Sequence, residues 1–226
     1  MGSVFAKIHY IHCAKPLDGA MQMAIDELLL AEARGVIFRD YQWSSPTTSI
    51  GYFGISSEIL SISPGTLLVR RPTGGGLVEH GHGRDFTYSV VISATEARRS
   101  RLSPRESYRK IHGALATVLQ KTGIAVILAG DTELSSGGSV CFANPVGDDV
   151  IMNGKKIAGA GQKRSRGAIL HQGSVQAVDL PDDFGAKFAA TLGEEVEELA
   201  IDEHLLERAE VLAESKYRRP EWTRRR

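Results

Sequence analysis

The sequence predicts an α+β fold, in which helices flank a mixed, mainly antiparallel sheet. Three observations lead to this class. Strand-like and helix-like segments alternate without the strict order of a doubly wound nucleotide fold. Asn153-Gly154 separates two strand-like runs, which is a strong short-range indication of a hairpin. A well-capped amphipathic helix is predicted over 104–122.

The first half of the chain is predicted to contain one helix and four strands. Residues 18–34 have apolar side chains at helical spacing, with Asp18 as the predicted N-cap and Gly35 as the predicted end. The predicted strands are 36–43, 47–53, 66–70 and 85–93. In the last of these, Phe86, Tyr88, Val90 and Ile92 are expected to share one face.

The second half begins with the helix over 104–122. Ser103 and Glu106 form a predicted capping box, and Gly123 follows the helix. Its buried face is predicted to consist of Ile111, Leu115, Val118 and Leu119. Further strands are predicted at 124–128, 140–142, on both sides of Asn153-Gly154, and at 168–178, followed by helices at 181–193 and 202–216.

The length and composition indicate one domain covering 1–226, with C-terminal helices in 181–216 and a basic tail in 217–226. We expect the tail to be a solvated, frayed terminus. Lys and Arg together number 27, as do Asp and Glu, so the chain lacks the basic excess of a nucleic-acid binder. The N-terminus has no apolar signal-peptide region, and no apolar run is long enough to span a membrane. These features predict a cytoplasmic protein.

Three glycine-rich segments adjoin predicted strands, at 70–89, 136–142 and 153–164. In the first, Arg70 and Arg71 precede Gly74, Gly75 and Gly76. Consecutive glycines let the backbone approach a ligand closely, and arginine makes strong contacts with phosphate or carboxylate groups. We therefore predict a ligand-binding loop, although the spacing matches neither common nucleotide-binding motif.

The histidines are weaker candidates. His80 and His82 lack acidic or cysteine partners at metal-ligand spacing, so no metal site is predicted. His80, which follows the glycine run, is kept as a candidate substrate-binding residue. His112 and His204 are interpreted as structural. His171 lies on a strand expected to face the Lys156 hairpin, which makes it a candidate for lining the site.

Cys141 is the candidate nucleophile, because it follows a glycine-rich loop and precedes a hairpin that carries Lys155 and Lys156. A nearby ammonium group favours the reactive thiolate. By itself a lone cysteine is more often a small buried side chain, and that is our interpretation of Cys13.

Four segments in order resemble the lipoate–protein ligase/octanoyltransferase family, which is related to biotin–protein ligases. They are DGAMQMAIDELLL, YQWSSPTTSIGYF, RRPTGGGLVEHGHGRDFTYSVV and NGKKIAGAGQKRSRGAILHQGS. The resemblance runs from about residue 8 to 178. It implies a biotin/lipoate protein ligase-like catalytic domain whose motif lysine, Lys156 here, contacts the acyl carbonyl.

The family divides by chemistry, and the sequence leaves three alternatives. The favoured one is an octanoyltransferase that takes octanoyl from acyl carrier protein onto Cys141, without a cofactor, and passes it to a lipoyl domain or a glycine-cleavage H-type protein. In this branch the cysteine shortly precedes the motif lysine, as Cys141 precedes Lys156. The second is a lipoate–protein ligase that uses ATP and Mg²⁺, with Arg70, Gly74–Gly76 and Lys156 around an acyl-adenylate. The third is a non-catalytic, carrier-binding relative.

Overall fold

A computed structural model describes residues 2–56, 65, 67–81, 85–130 and 147–225. It confirms the predicted α+β class, with a large mixed sheet and a small one. The strands of the large sheet are β1 (Phe5–Leu17), β2 (Val36–Trp43), β6 (Asp85–Ile92), β7 (Ile127–Leu128), β8 (Val150–Met152), β9 (Lys155–Ser165), β10 (Ala168–Gln176) and β11 (Gly193–Glu198). The small sheet consists of β3 (Thr47–Ile50), β4 (Leu67–Arg70) and β5 (Leu77–His80).

The large sheet has the order β11-β1-β2-β6-β10-β9-β8-β7. The pairs β11–β1 and β1–β2 are parallel, and the other neighbours are antiparallel. In the small sheet, β3 lies between β4, which is parallel to it, and β5, which is antiparallel. The prediction of a mainly antiparallel mixed sheet is thus confirmed.

Helices cover both faces of the large sheet. They are α1 (Gly19–Glu32), α2 (Ala94–Arg99), α3 (Pro104–Lys121), α4 (Phe184–Leu192), α5 (Glu203–Leu212), a π-helical turn (Ala213–Tyr217) and α6 (Pro220–Thr223). Within the described ranges, none of these helices has the length and apolar character needed to cross a membrane.

Each face of the sheet has its own hydrophobic core. One core packs α3 and α4 against the sheet, and the other packs α1, α5 and the π-helical turn against the opposite face. Tyr88, Val90 and Ile92 of β6 belong to the first core, whereas Val91 belongs to the second. The predicted alternation along this strand is therefore confirmed, and the strand is buried on both faces.

Local sequence rules predicted several elements well. Asp18 caps α1 by accepting from the Met21 N–H at 2.9 Å. The capping box of α3 is present, and its four predicted apolar residues are fully buried. Asn153 and Gly154 both adopt positive φ, at 50° and 76°, as a two-residue hairpin turn of this type requires.

Other predictions were wrong where tertiary contacts decide the conformation. β3 ends at Ile50 instead of residue 53, because the chain then turns and the N–H of Gly54 donates to the Gly51 carbonyl at 3.0 Å. Helix α1 ends at Glu32, so Gly35 does not cap it. The buried strand predicted at 124–128 is only the edge strand β7, where Ile127 is 67% exposed.

The C-terminal part differs most from the prediction. Strand β11 was not predicted, and the helix predicted over 202–216 is α5 followed by the π-helical turn. The basic tail is not a frayed end in the part that the structure describes. Trp222 instead packs against Tyr52 and Tyr217, and its indole N–H donates to the Arg70 carbonyl at 3.0 Å.

Candidate active site

A pocket lies between the two sheets, under the glycine loop that joins β4 to β5. Met23 of α1 and Tyr41 and Trp43 of β2 supply its apolar side. The described residues that line it are Met23, Tyr41, Trp43, Ser49, Arg71, Gly75, Val78, His80, Thr87, Lys156, Gly159, Ala160, Gly161, Gln172, Gly173 and Ser174. Concave sites of this kind, mostly apolar with a few placed polar groups, are typical of ligand pockets.

Lys156 supplies a buried cation in the pocket wall. Its Nζ lies 2.8 Å from Oδ2 of Asp149, and both side chains are almost fully buried. The hydroxyl of Tyr108 donates to Oδ1 of Asp149 at 2.5 Å and accepts from the Ala160 N–H at 2.9 Å. The ammonium group is therefore held by a carboxylate that is itself fixed by the fold, which preorganises positive charge at the pocket.

Gly159 makes room for this ammonium group. A Cβ at Gly159 would lie 2.5 Å from Lys156 Nζ and 3.1 Å from Asp149 Oδ1. Only glycine fits there without displacing the buried pair.

The glycine loop is held by close backbone contacts. A Cβ on Gly51 or on Gly161 would overlap the carbonyl groups of the loop, at Gly75 and Gly74 respectively. Gly75, with φ of 94°, has a conformation that favours glycine. These close contacts are between the loop and the protein's own backbone, and the predicted approach of the glycines to a ligand stays a prediction.

Arg71 holds the same loop from the other side. Its Nη2 donates to the carbonyls of Gly74, at 3.2 Å, and Gly76, at 2.9 Å. Its Nη1 donates to the Ser49 carbonyl at 2.9 Å and to the Ser49 hydroxyl at 2.6 Å. Arg71 lines the pocket, so it combines loop support with positive charge at the site.

Arg70 occupies a different place from the one predicted for a ligand-binding residue. Its side chain is fully buried, and it is not among the described residues that line the pocket. Its guanidinium donates through all three nitrogens to backbone carbonyls. These acceptors are Gly51, Tyr52, Gly54, Trp222, Thr223 and Arg225. Arg70 therefore joins the C-terminal segment to the loop after β3.

His80, which was predicted to bind substrate, lies in the pocket wall. Its ring stacks on Trp43 with centroids 4.1 Å apart, and its Nε2 lies 2.7 Å from the Ser49 hydroxyl. On the other side of the ring, Nδ1 lies 3.5 Å from Asp85 and 3.4 Å from the Thr87 hydroxyl.

His171 is buried beside the pocket rather than lining it. Its ring contacts His112 and Tyr108, each with centroids 5.3 Å apart. Burial lowers the pKa of His112 to about 4, which Asp149 opposes only in part, and burial also holds the pKa of His171 well below its usual range. Both rings are therefore neutral at pH 7, and the Nε2 atom of each is buried without a hydrogen-bond partner among the described residues.

A buried polar network behind the pocket was not predicted. Asp26 of α1 accepts from Arg39 and Ser89, each at 2.8 Å, and from the Gln172 amide at 2.7 Å. Gln172 in turn accepts from the Thr73 hydroxyl at 2.8 Å, which links the network to the glycine loop. The sequence contained one indication, because Asp26 interrupts the apolar run of α1.

The remaining predicted residues do not all fall in the described structure. Cys141, the candidate nucleophile, lies outside the described residues, as does His82. Cys13 lies apart from the pocket lining, where its Sγ accepts from Arg39 Nε at 3.2 Å. Within the described parts of the chain, no group of three His, Cys, Asp or Glu side chains is arranged to hold a metal ion.

Comparison with known sequences shows which protein family this chain is similar to. A model of the lipoyl protein ligase A/B catalytic domain matches residues 18–208. Octanoyltransferase LipM of Kyrpidia tusciae is 38% identical over 173 residues, which cover 70% of this chain and 62% of that protein. Octanoyltransferase LipM of Brevibacillus brevis is 33% identical over 201 residues, covering 82% and 71%. The chain spans about three fifths of the length of the first relatives that it matches.

Solved structures show the same fold. A lipoate-protein ligase A bound with ATP superposes with a TM-score of 0.75 at 22% identity, covering 97% of this chain and 98% of that one. A putative lipoate protein ligase from T. acidophilum gives a TM-score of 0.76 at 22% identity, covering 98% and 100%. Because the family model matches most of this chain, the chain belongs to the lipoyl protein ligase A/B catalytic domain family.

Proposed function

We propose that this chain is an octanoyltransferase, which moves an octanoyl group from acyl carrier protein to a lysine of a lipoyl-carrier protein. The observation that carries the proposal is the buried Lys156–Asp149 pair in the wall of a largely apolar pocket. The similarity to octanoyltransferases named LipM, over 70% of this chain in the first case, supports the same activity.

In this proposal Cys141 is the nucleophile. Its thiolate attacks the thioester carbonyl of the donor, the bond to the carrier's sulfur breaks, and an acyl-cysteine forms. The amine of the target lysine then attacks this thioester and becomes an amide, and the released thiolate of Cys141 takes up a proton.

The described residues act on the charge that develops in both steps. As each tetrahedral intermediate forms, negative charge grows on the former carbonyl oxygen, and the fixed ammonium of Lys156 stabilises it. Asp149 and Tyr108 keep that ammonium in place. The apolar side chains of Met23, Tyr41, Trp43 and Val78 line the space assigned to the octanoyl chain.

The position of Arg70 disfavours the ATP-dependent alternative. A ligase needs cationic side chains that bind the phosphate of an acyl-adenylate, and Arg70 was predicted from the sequence to be one of them. The guanidinium of Arg70 instead donates to backbone carbonyls on two sides, so its donors are already engaged by the protein itself. We therefore propose that the transfer needs neither ATP nor Mg²⁺.

The proposal is tested by intact-mass spectrometry after incubation with octanoyl–acyl carrier protein and no ATP. We expect wild-type protein to gain one octanoyl group and the Cys141→Ala variant to gain none. A lipoyl domain is then added, and the group should move to it. Modification of that domain only with ATP and free octanoate would identify a ligase, and no modification in either assay would identify a carrier-binding relative.

A further inference from the structure

A second arrangement of reactive side chains lies in the same pocket wall. Ser49 of β3, His80 of β5 and Asp85 of β6 form a hydroxyl–imidazole–carboxylate series. The Ser49 Oγ to His80 Nε2 distance is 2.7 Å, and His80 Nδ1 lies 3.5 Å from Asp85 Oδ2. Ser49 and His80 both line the pocket. In this order the three groups have the roles of nucleophile, base and orienting carboxylate.

Arg71 supplies one hydrogen bond to the serine of this series. A guanidinium can only donate, so the Ser49 oxygen accepts from Arg71 Nη1 at 2.6 Å. A hydroxyl group keeps its own proton to donate, and Nε2 of His80 lies 2.7 Å from the Ser49 oxygen. In the tautomer that the proposed chemistry uses, Nε2 accepts this proton and the imidazole proton is on Nδ1, the nitrogen that faces Asp85.

The imidazole ring is held in this orientation by its neighbours. Trp43 stacks on His80 with an interplanar angle of 14°, and the Trp43 indole donates to the Thr87 hydroxyl at 2.9 Å. Asp85 is positioned by the Gly81 N–H, which donates to both carboxylate oxygens at 3.2 Å. The orientation of the base is thus fixed before any substrate arrives.

We propose that Ser49, His80 and Asp85 give this pocket a second activity, the hydrolysis of activated esters of medium-chain carboxylic acids, which does not use Cys141. This activity goes beyond acyl transfer to a carrier protein. The medium length of the acyl chain in the ester rests on the proposed function, in which the transferred acyl group is octanoyl.

The chemistry balances with water as the co-reactant. Ser49 Oγ attacks the ester carbonyl and its proton passes to His80 Nε2, which gives it to the departing alcohol as an acyl-serine forms. Water then adds to the acyl-serine and gives one proton to His80. The Ser49 oxygen leaves with the proton that His80 holds, and the free acid departs. Arg71 stabilises the serine oxygen while it carries negative charge, and Lys156 places a second cation in the same pocket.

The experiment uses the Cys141→Ala protein with p-nitrophenyl octanoate, following nitrophenolate release at pH 8. We expect hydrolysis well above the buffer rate. Adding Ser49→Ala or His80→Gln should lower the rate by about 100-fold or more, since each removes a member of the proton-transfer pair. Ser100→Ala, which changes a serine that bonds to Glu96 on α2, is the matched control and should leave the rate unchanged.

A second measurement covers variants that fail to fold. A fluorophosphonate probe, which reacts with activated serines, is incubated with folded Cys141→Ala protein, and the modified peptide is identified by mass spectrometry. Modification of Ser49 supports the proposal. It is overturned by hydrolysis no faster than buffer, by equal rates in the Ser49→Ala and Ser100→Ala proteins, or by an unmodified Ser49. Because Cys141 is absent throughout, failure of carrier acylation does not affect this result.

Discussion

The ammonium nitrogen of Lys156 lies 2.8 Å from a carboxylate oxygen of Asp149, inside the wall of the pocket. Two unlike charges buried together have lost most of their contact with water, so each depends on the other for stability. Lys156→Met should therefore lower the free energy of unfolding by roughly 3–5 kcal/mol, because the buried charge of Asp149 loses the ammonium group that lies 2.8 Å from it. If the chain has the proposed function, acyl transfer should fall by about 100-fold or more.

Chemical denaturation and the acyl-transfer assay measure these two effects separately. Lys155→Met is the matched control, since Lys155 is the neighbouring but exposed lysine of the same hairpin. Adding Asp149→Leu to Lys156→Met should restore part of the stability but none of the activity. If the single Lys156→Met variant were as stable as wild type, the buried pair would not contribute to the stability of the fold as we infer from its geometry.

Gly159→Ala tests the position of the ammonium group without removing it. The new Cβ would meet Lys156 Nζ at 2.5 Å, so the ammonium must shift from its place beside Asp149. We expect at least roughly a 10-fold loss of kcat for transfer, with a smaller effect on KM. Gly113→Ala in α3 is the control, because nothing lies within 4 Å of its new Cβ, and it should stabilise the helix by about 0.5–1 kcal/mol. Equal activity of the two variants would contradict the placement of Lys156.

Trp222→Ala tests whether the C-terminal segment is a packed part of the fold. Trp222 packs on Tyr52 and Tyr217, and it exchanges hydrogen bonds with Arg70 in both directions, each at 3.0 Å. The loss of this partly buried indole should lower the unfolding free energy by about 2–4 kcal/mol, which thermal unfolding can measure. Arg219→Ala, an exposed change three residues earlier, should have little effect. A Tm unchanged by Trp222→Ala would favour a loosely attached tail.

The buried histidines make the fold sensitive to mild acid. The pKa of His112 is about 4 in the folded protein, below the ordinary value of 6.5. The unfolded chain therefore binds a proton more readily, and stability falls as the pH drops through 6.5 towards 4. At pH 5 the His112 side chain should lower the free energy of unfolding by about 2 kcal/mol relative to pH 8. His171 acts in the same direction.

Urea unfolding at pH 8 and pH 5 measures this loss. His112→Gln should reduce the difference between the two pH values, because glutamine does not titrate and its amide can still donate to the Asp148 carbonyl, as His112 Nδ1 does now at 2.8 Å. His204→Gln, at an exposed position, should not reduce it. An equal pH dependence of all three proteins would assign the acid sensitivity to other groups.

The sequence predicted best those features that depend on neighbours in the chain. The capping box of α3 and the turn at Asn153-Gly154 each need only a few consecutive residues, and both occur as predicted. Strand β11 could not be predicted in this way, because GEEVEE has little intrinsic strand preference. Its parallel pairing with β1 and the ion pairs from Lys7 to Glu195 and Glu197 stabilise it, and those contacts come from the other end of the chain.

The site shows the same distinction. The glycine loop and Lys156 could be identified from motif and chemistry, and the structure brings Gly75 and Lys156 to one pocket. Arg70 and Arg71 are adjacent and chemically identical in the sequence, so nothing local separates their roles. Only the fold shows that Arg71 faces the pocket while Arg70 binds backbone carbonyls from distant segments.

The contacts of Arg70 also have a consequence for the order in which the protein matures during translation. Arg70 and Trp222 are 152 positions apart, so the ribosome synthesises all of the intervening chain before they can meet. Until then the guanidinium lacks its Trp222, Thr223 and Arg225 acceptors. The segment around Gly51, which supports the glycine loop, is then not yet joined to the C-terminal segment. The pocket therefore reaches its final shape only after residue 225 has left the exit tunnel.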